Sequence, residues 1–237
     1  MTKQPENITA ARLDARFGEA SAEAILAVAL DRFDGRIALV SSFGAEAAIL
    51  LHMVAEFDPG LPVILMDTEL LFEETLTYQR DLATLLGLTD VRIIRPDPQV
   101  DRDRDLHRHD TTACCRLRKV EPLERALEEF GAVVSGRKRF QSTSRQTLRA
   151  FETDPAGRVK VNPMTAWSPN DLARYRETHA LPPHPLVARG FPSIGCQPCT
   201  TPVADGEPAR AGRWRDEPRE ECGIHITTDG KIMRKTG

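Results

Sequence analysis

Arg36-Ile37-Ala38-Leu39-Val40-Ser41-Ser42 runs into the turn Phe43-Gly44-Ala45-Glu46 and then into an apolar stretch from Ala45 to Phe57. The first part is an unbroken aliphatic run of strand length, the pattern of a strand buried on both faces. Small residues make the turn, and the stretch after it has helical spacing. Strand, turn and helix open an α/β unit, and the first turn of such a helix offers unpaired N–H groups to an anion. The alternation recurs. Pro62-Val63-Ile64-Leu65-Met66-Asp67-Thr68 reads as a second buried strand, and Phe72 to Leu86 as a helix stopped by Gly87. Val91-Arg92-Ile93-Ile94-Arg95 reads as a third strand closed by Pro96, and Ala132-Val133-Val134-Ser135-Gly136 as a fourth. Strands alternating with helices predict an α/β fold, a mostly parallel sheet flanked by helices on both faces.

The flanks divide the chain. Residues 1–35 predict an N-terminal helical segment, because Ile8 to Phe33 has helical spacing. Residues 36–181 form the α/β domain, ending with a helix that Ser168-Pro169-Asn170-Asp171 caps. Residues 182–237 are rich in Pro and Gly and predict an irregular C-terminal segment. Asp101 to Asp110 is dense in charge and reads as an exposed surface loop. Cys115 to Phe130 carries Leu117, Val120, Leu123 and Leu127 at helical spacing, with a break or a helix start expected at Pro122.

The chain of 237 residues has a formal net charge of −3, which excludes a global basic field and argues against nucleic acid as partner. No run is long and apolar enough for a membrane span, and no signal peptide is read at the start. With five cysteines, an odd number, the expectation is a reduced cytoplasmic protein. Cations concentrate locally: Arg116, Arg118, Lys119, Arg137, Lys138, Arg139, Arg145 and Arg149 suit a pocket for a small polyanion. The loop from Arg137 to Arg145 follows the fourth strand, at the strand end where open α/β sheets bind ligands.

Cysteines come as Cys114-Cys115, as Cys196-Gln197-Pro198-Cys199, and as the single Cys222. Adjacent Cα atoms lie ~3.8 Å apart, less than the ~4.4–6.8 Å usual across a disulfide. Cys114 and Cys115 therefore make a poor disulfide. They could be small buried hydrophobes, but two pairs also fit a four-thiolate metal site. Structural zinc sites place spacers in both arms, so the missing spacer favours a larger iron–sulfur cluster over one zinc ion. A redox role for Cys196 and Cys199 alone leaves Cys114 and Cys115 unexplained.

Cys114-Cys115, the C-x-x-C pair and Glu221-Cys222-Gly223-Ile224-His225 together resemble the assimilatory adenylyl-sulfate reductases, relatives of the phosphoadenylyl-sulfate reductases, from about Ile37 to His225. The resemblance implies an adenine-nucleotide alpha-hydrolase-like sheet and one 4Fe–4S cluster on Cys114, Cys115, Cys196 and Cys199. It implies that Cys222 attacks the sulfur of adenylyl sulfate, expelling AMP, and that thioredoxin or a glutaredoxin-like reductant then frees sulfite for cysteine biosynthesis. Homo-oligomerisation is compatible with it. Lys119 would lie beside both cluster and sulfate. Arg139, Gln141 and Arg145 would touch phosphate, sulfate or ribose, and Arg210 with Arg213 would add a pair from the C-terminal segment. His225 would orient the nucleophile or support thioredoxin docking, and Ser42, Gly44 and Thr68 would lie in the nucleotide-binding turns.

The chain also departs from that family. Asp67-Thr68-Glu69 stands where the family often has Asp-Thr-Gly. Its Ser-Ser-Phe-Gly turn and the spacing of Gln141-Ser142-Thr143-Ser144-Arg145 look more like the cluster-free enzymes, so 3′-phosphoadenylyl sulfate is the alternative substrate. A cluster-bearing tRNA thiolase would need a Ser-Gly-Gly-x-Asp-Ser loop, which Ser41 to Glu46 is not. A non-enzymatic metal module leaves Cys222 without a purpose.

Overall fold

The computed structural model describes residues 9–215 together with 217, 219 and 221. Cys222 and His225 therefore lie outside the described residues. Two short helices, α1 (Ala10–Phe17) and α2 (Ala22–Arg32), precede β1 (Ile37–Val40). Then follow α3 (Ala47–Phe57), β2 (Val63–Met66), α4 (Glu73–Leu85) and β3 (Val91–Ile94). The cysteine-bearing region holds α5 (Leu106–His109), α6 (Thr111–Cys115), a π-helical turn (Arg116–Val120) and α7 (Glu121–Ala126). After β4 (Ala132–Val134) come β5 (Phe151–Thr153), β6 (Val159–Val161) and α8 (Pro169–Thr178).

The sheet order is β3-β2-β1-β4-β6-β5, parallel throughout except for β5 against β6. Alternation along each strand assigns the two faces. Ile37, Leu39, Val63, Leu65, Ala132 and Val134 face a core shared with α1, α2, α3, α4 and α8. Ala38, Ile64, Met66 and Val133 face the opposite side, where Leu123 of α7 and Leu127 just after it cover them. Crossovers to opposite faces leave a crevice between β1 and β4, the position where doubly wound sheets bind ligands.

Two local features depart from the sequence expectations, and a third follows them in an unexpected form. The β5–β6 pair was not foreseen. It packs on α1, with Asp14 Oδ1 accepting from the Phe151 N–H at 3.2 Å. The segment from Asp101 is not wholly exposed: the Asp101 carboxylate is buried because Arg118 Nε donates to it at 2.7 Å. The break at Pro122 takes the form of the π turn, which ends at Val120 and leads into α7 with Pro122 in its first turn. Proline has no N–H to donate there.

Candidate active site

β1 delivers Ser41 to a turn that leaves standard geometry. Phe43 is fully buried with φ 46, a left-handed conformation that costs a non-glycine residue energy. Its N–H is held by Ser41 Oγ at 3.1 Å. Gly44 follows, and a Cβ there would stand 3.4 Å from the carbonyl of Ile194, so the C-terminal segment closes directly over this turn. Ser42 and Gly44 line a cavity of about 550 Å3 at the β1–β4 crevice. Its floor is apolar, with Leu39, Leu50, Leu65 and Met66, and its walls carry Lys119, Lys138, Arg145, Arg210 and Arg213. Concave, largely apolar space with a few convergent cations is what a nucleotide-like anion needs.

Beside it lies a small enclosed cavity lined by Cys114, Cys115, Cys196 and Cys199, together with Thr68, Arg118, Lys119, Arg213 and Trp214. Two cysteine pairs some eighty residues apart in sequence therefore meet. Asp110 caps α6 by accepting from the Ala113 N–H at 2.8 Å, which fixes the helix that carries one pair. The other pair is pinned by a bridge between Leu71 and Cys196, with the Gln197 N–H donating to the Leu70 carbonyl at 2.8 Å. Arg118 stitches the two: it donates to Asp101 and, at 2.9 Å, to the carbonyl of Thr68.

The four thiols are free cysteines, and three of them are buried. Burial, then the neighbouring thiols, pushes Cys114 up to about 12 and Cys199 up to about 11. Cys196 goes the other way: burial raises it, but Lys119, the Thr68 hydroxyl at 3.1 Å and Arg213 outweigh that and bring it down. Four crowded soft donors beside fixed cations match the ligand chemistry of an iron–sulfur cluster. Among the described residues no group of three or more His, Cys, Asp or Glu is arranged to hold a single metal ion.

Lys119, Arg213 and Trp214 line both cavities and form the wall between them. Arg213 lies over the Trp214 ring, 4.5 Å from its centroid, and packs so tightly on Gly195 that a Cβ there would fall 2.2 Å from Nη2. Among the described residues Arg213 Nε is buried and finds no hydrogen-bond partner. An unsatisfied buried donor at a cavity wall is costly unless a ligand completes it.

Of the residues expected from sequence, Ser42, Gly44, Lys119, Gln141, Arg145, Arg210 and Arg213 line the large cavity. Thr68 lines the cysteine cavity instead. Arg139 lies outside both. Its Nε donates to the Leu148 carbonyl at 2.8 Å, on the far side of the 3-10 turn Arg139–Gln141 from the crevice. Its neighbour Lys138 turns inward, buried and paired with Glu46 at 2.7 Å, and burial lowers its ammonium pKa. Glu46 and Trp214 were not singled out from sequence, and Lys138 was named only as one of a cluster of cations. In the chain they look like ordinary solvated charges and a lone aromatic. Arg219, also missed, is buried and donates to Cys115 Sγ at 3.5 Å. Its place just before the Glu-Cys-Gly-Ile-His stretch was the available signal.

The phosphoadenosine phosphosulfate reductase domain family matches residues 36–202. An adenosine 5′-phosphosulfate reductase of Chelativorans sp. is 46% identical over 225 residues, covering 92% of this chain and 91% of its own. A protein of the same name from Mesorhizobium japonicum is 48% identical over 223 residues, covering 92% and 87%. Among solved structures, phosphoadenylyl-sulfate reductase from Candida auris, in a phosphate complex, superposes with a TM-score of 0.71 at 25% identity, covering 81% of this chain and 96% of that one.

Proposed function

From the premise that the chain belongs to the phosphoadenosine phosphosulfate reductase domain family, we propose that it reduces adenylyl sulfate to sulfite and AMP. The nucleotide lies in the β1–β4 crevice, its base against the apolar floor and its phosphosulfate toward the cationic wall. The Cys222 thiolate attacks the sulfate sulfur. A bond forms between sulfur and Cys222 Sγ, and the phosphate oxygen of AMP leaves with the electron pair of the broken S–O bond. Lys119 and Arg213 stabilise the charge that builds on that oxygen, a role fixed cations fill without reorganising.

The enzyme then carries a thiosulfonate on Cys222. A reduced dithiol of the thioredoxin class attacks Cys222 Sγ, and sulfite departs with the S–S electron pair. The second thiol of that dithiol closes its own disulfide and returns Cys222 as a thiol. Two electrons reach sulfur by thiol exchange alone.

Cys114, Cys115, Cys196 and Cys199 hold one 4Fe–4S cluster in this reading. When bound, the cluster supplies a fixed local field beside Lys119 and Arg213. The residues of the chain do the rest: Thr68 orients Cys196, and Trp214 keeps water from the wall.

One observation carries the reading: the four-cysteine cavity and the nucleotide-sized crevice share Lys119, Arg213 and Trp214. Cys222→Ser tests it. The variant is expected to keep iron and visible colour and to release no sulfite; sustained turnover would remove Cys222 from the chemistry.

A further inference from the structure

Lys160 lies on β6, in register with Val133 of β4 on one side and Glu152 of β5 on the other. Its neighbours Val159 and Val161 belong to the larger core. Strand alternation therefore sends Lys160 to the opposite face of the sheet, the side that α7 covers and to which Val133 belongs. Three carboxylates act on it there, Asp154, Glu152 and Glu124, and guanidiniums hold all of them. Arg137 Nη2 donates to Glu152 Oε2 at 2.8 Å, and Asn162 Nδ2 donates to the same oxygen at 3.2 Å. Arg158 donates from Nε to Asp154 at 2.7 Å and from Nη2 to Glu124 at 2.6 Å. No acceptor is left over: among the described residues Lys160 Nζ makes no hydrogen bond and no ion pair. The side chain is half-buried and its amine is not sealed from solvent, so a small solute can reach it. Burial first, and then the like charge of Arg137, bring its pKa down to about 8, against the weaker pull of the three carboxylates.

We propose that Lys160 is an acylation site, a nucleophilic amine that takes the acyl group of a small acyl phosphate. A lysine shielded from water and set beside a second cation is the form of this side chain that attacks carbonyl carbon near neutral pH. The neutral amine adds to the acyl carbonyl. A C–N bond forms, the C–O bond to phosphate breaks, phosphate leaves with the electron pair, and the amine proton passes to water. The product is an uncharged amide. Acylation thereby removes the like charge beside Arg137, whose side chain lines the large cavity. The step needs neither Cys222 nor the cysteine quartet.

The test exposes the iron-loaded enzyme to acetyl phosphate from about pH 6.5 to about pH 10.5. Nα-acetyl-lysine amide is the internal standard, and acetylation of each peptide is followed by mass. At about pH 7.5 Lys160 carries about 200 times more free amine than an ordinary lysine. Nucleophilicity falls with basicity, and roughly tenfold of that advantage survives. Lys160 is therefore expected to acetylate about tenfold faster than the standard, with a half-maximal rate near pH 8. Arg137→Gln frees Glu152, and Arg158→Gln frees Asp154 and Glu124. Each hands the ammonium a carboxylate and should slow acetylation of Lys160 about tenfold at that pH.

Acetylation of Lys160 no faster than the standard, or a rate still climbing above about pH 10, would overturn the proposal. So would unchanged rates in both variants, because the engaged carboxylates would then not be what leaves the amine free.

Discussion

Gly195→Ala probes the wall between the two cavities with a single carbon atom. Gly195 does not occupy the left-handed region, so alanine costs the backbone nothing there. The added Cβ would lie 2.2 Å from Nη2, 2.5 Å from Cζ and 3.0 Å from Nη1 of Arg213. To regain ordinary contact the guanidinium must retreat by about 1 Å. It has little room, since it is buried and stacked on Trp214. A displacement of about 1 Å in a charge-positioning group costs roughly 100-fold in rate. Sulfite formation from adenylyl sulfate in Gly195→Ala is therefore expected to fall about 100-fold, with iron content unchanged. Arg213→Ala should lose as much, and adding Gly195→Ala to it should cost little more, since the clashing group is gone. Turnover of Gly195→Ala within about threefold of the parent would refute the placement of Arg213 at the reacting centre. Equal further losses in the double variant would refute the steric reasoning.

Three more expectations follow from the same geometry. Cys114→Ser and Cys199→Ser should each lose iron and turnover together, read by metal analysis and sulfite assay; iron retained in either would break the four-thiol assignment. Asp101→Asn leaves Arg118 charged and buried with weaker partners and should cost about 3 kcal/mol of stability, read as a lowered denaturation midpoint; an unchanged midpoint would show the pair to be incidental. His184 is fully buried, accepts from the Leu186 N–H at Nδ1 and pairs through Nε2 with Thr75, so the neutral ring is the one the fold holds. Burial pushes its pKa down to about 4. The unfolded chain therefore binds the extra proton first, and stability present above about pH 6.5 is lost as pH falls toward 4, by about 3 kcal/mol. A His184→Asn variant should lose that slope between pH 6.5 and 4 in chemical denaturation. A slope that persists undiminished would assign it to other groups.

Strands β1, β2 and β4 were legible because burial on both faces demands unbroken aliphatic runs, and Ile37 to Val40 or Val63 to Met66 can satisfy little else. The β5–β6 pair was not legible: three-residue strands such as Val159–Val161, with Lys160 between, carry too little periodicity to stand out. Burial of Asp101 could not be read, since a carboxylate in a charged run looks solvated until Arg118 is folded onto it. The convergence of the cysteine pairs was anticipated from their number and spacing. That Arg137 and Lys138 face the crevice while Arg139 turns away was not, because charge alone does not say which side chain turns inward. Glu69 is instructive. It adopts φ 60, a region that favours glycine, and the turn is held by the Asp67 carboxylate, which accepts from the Glu69 N–H at 2.9 Å.

The most direct test of the account is a single turnover with adenylyl sulfate in the absence of any thiol reductant, followed by peptide mass analysis. The account predicts one equivalent of AMP and one SO3 group added to the peptide that contains Cys222, with the other four cysteines unmodified. AMP release with the SO3 group on a different cysteine, or sulfite release with no modified cysteine at all, would contradict it.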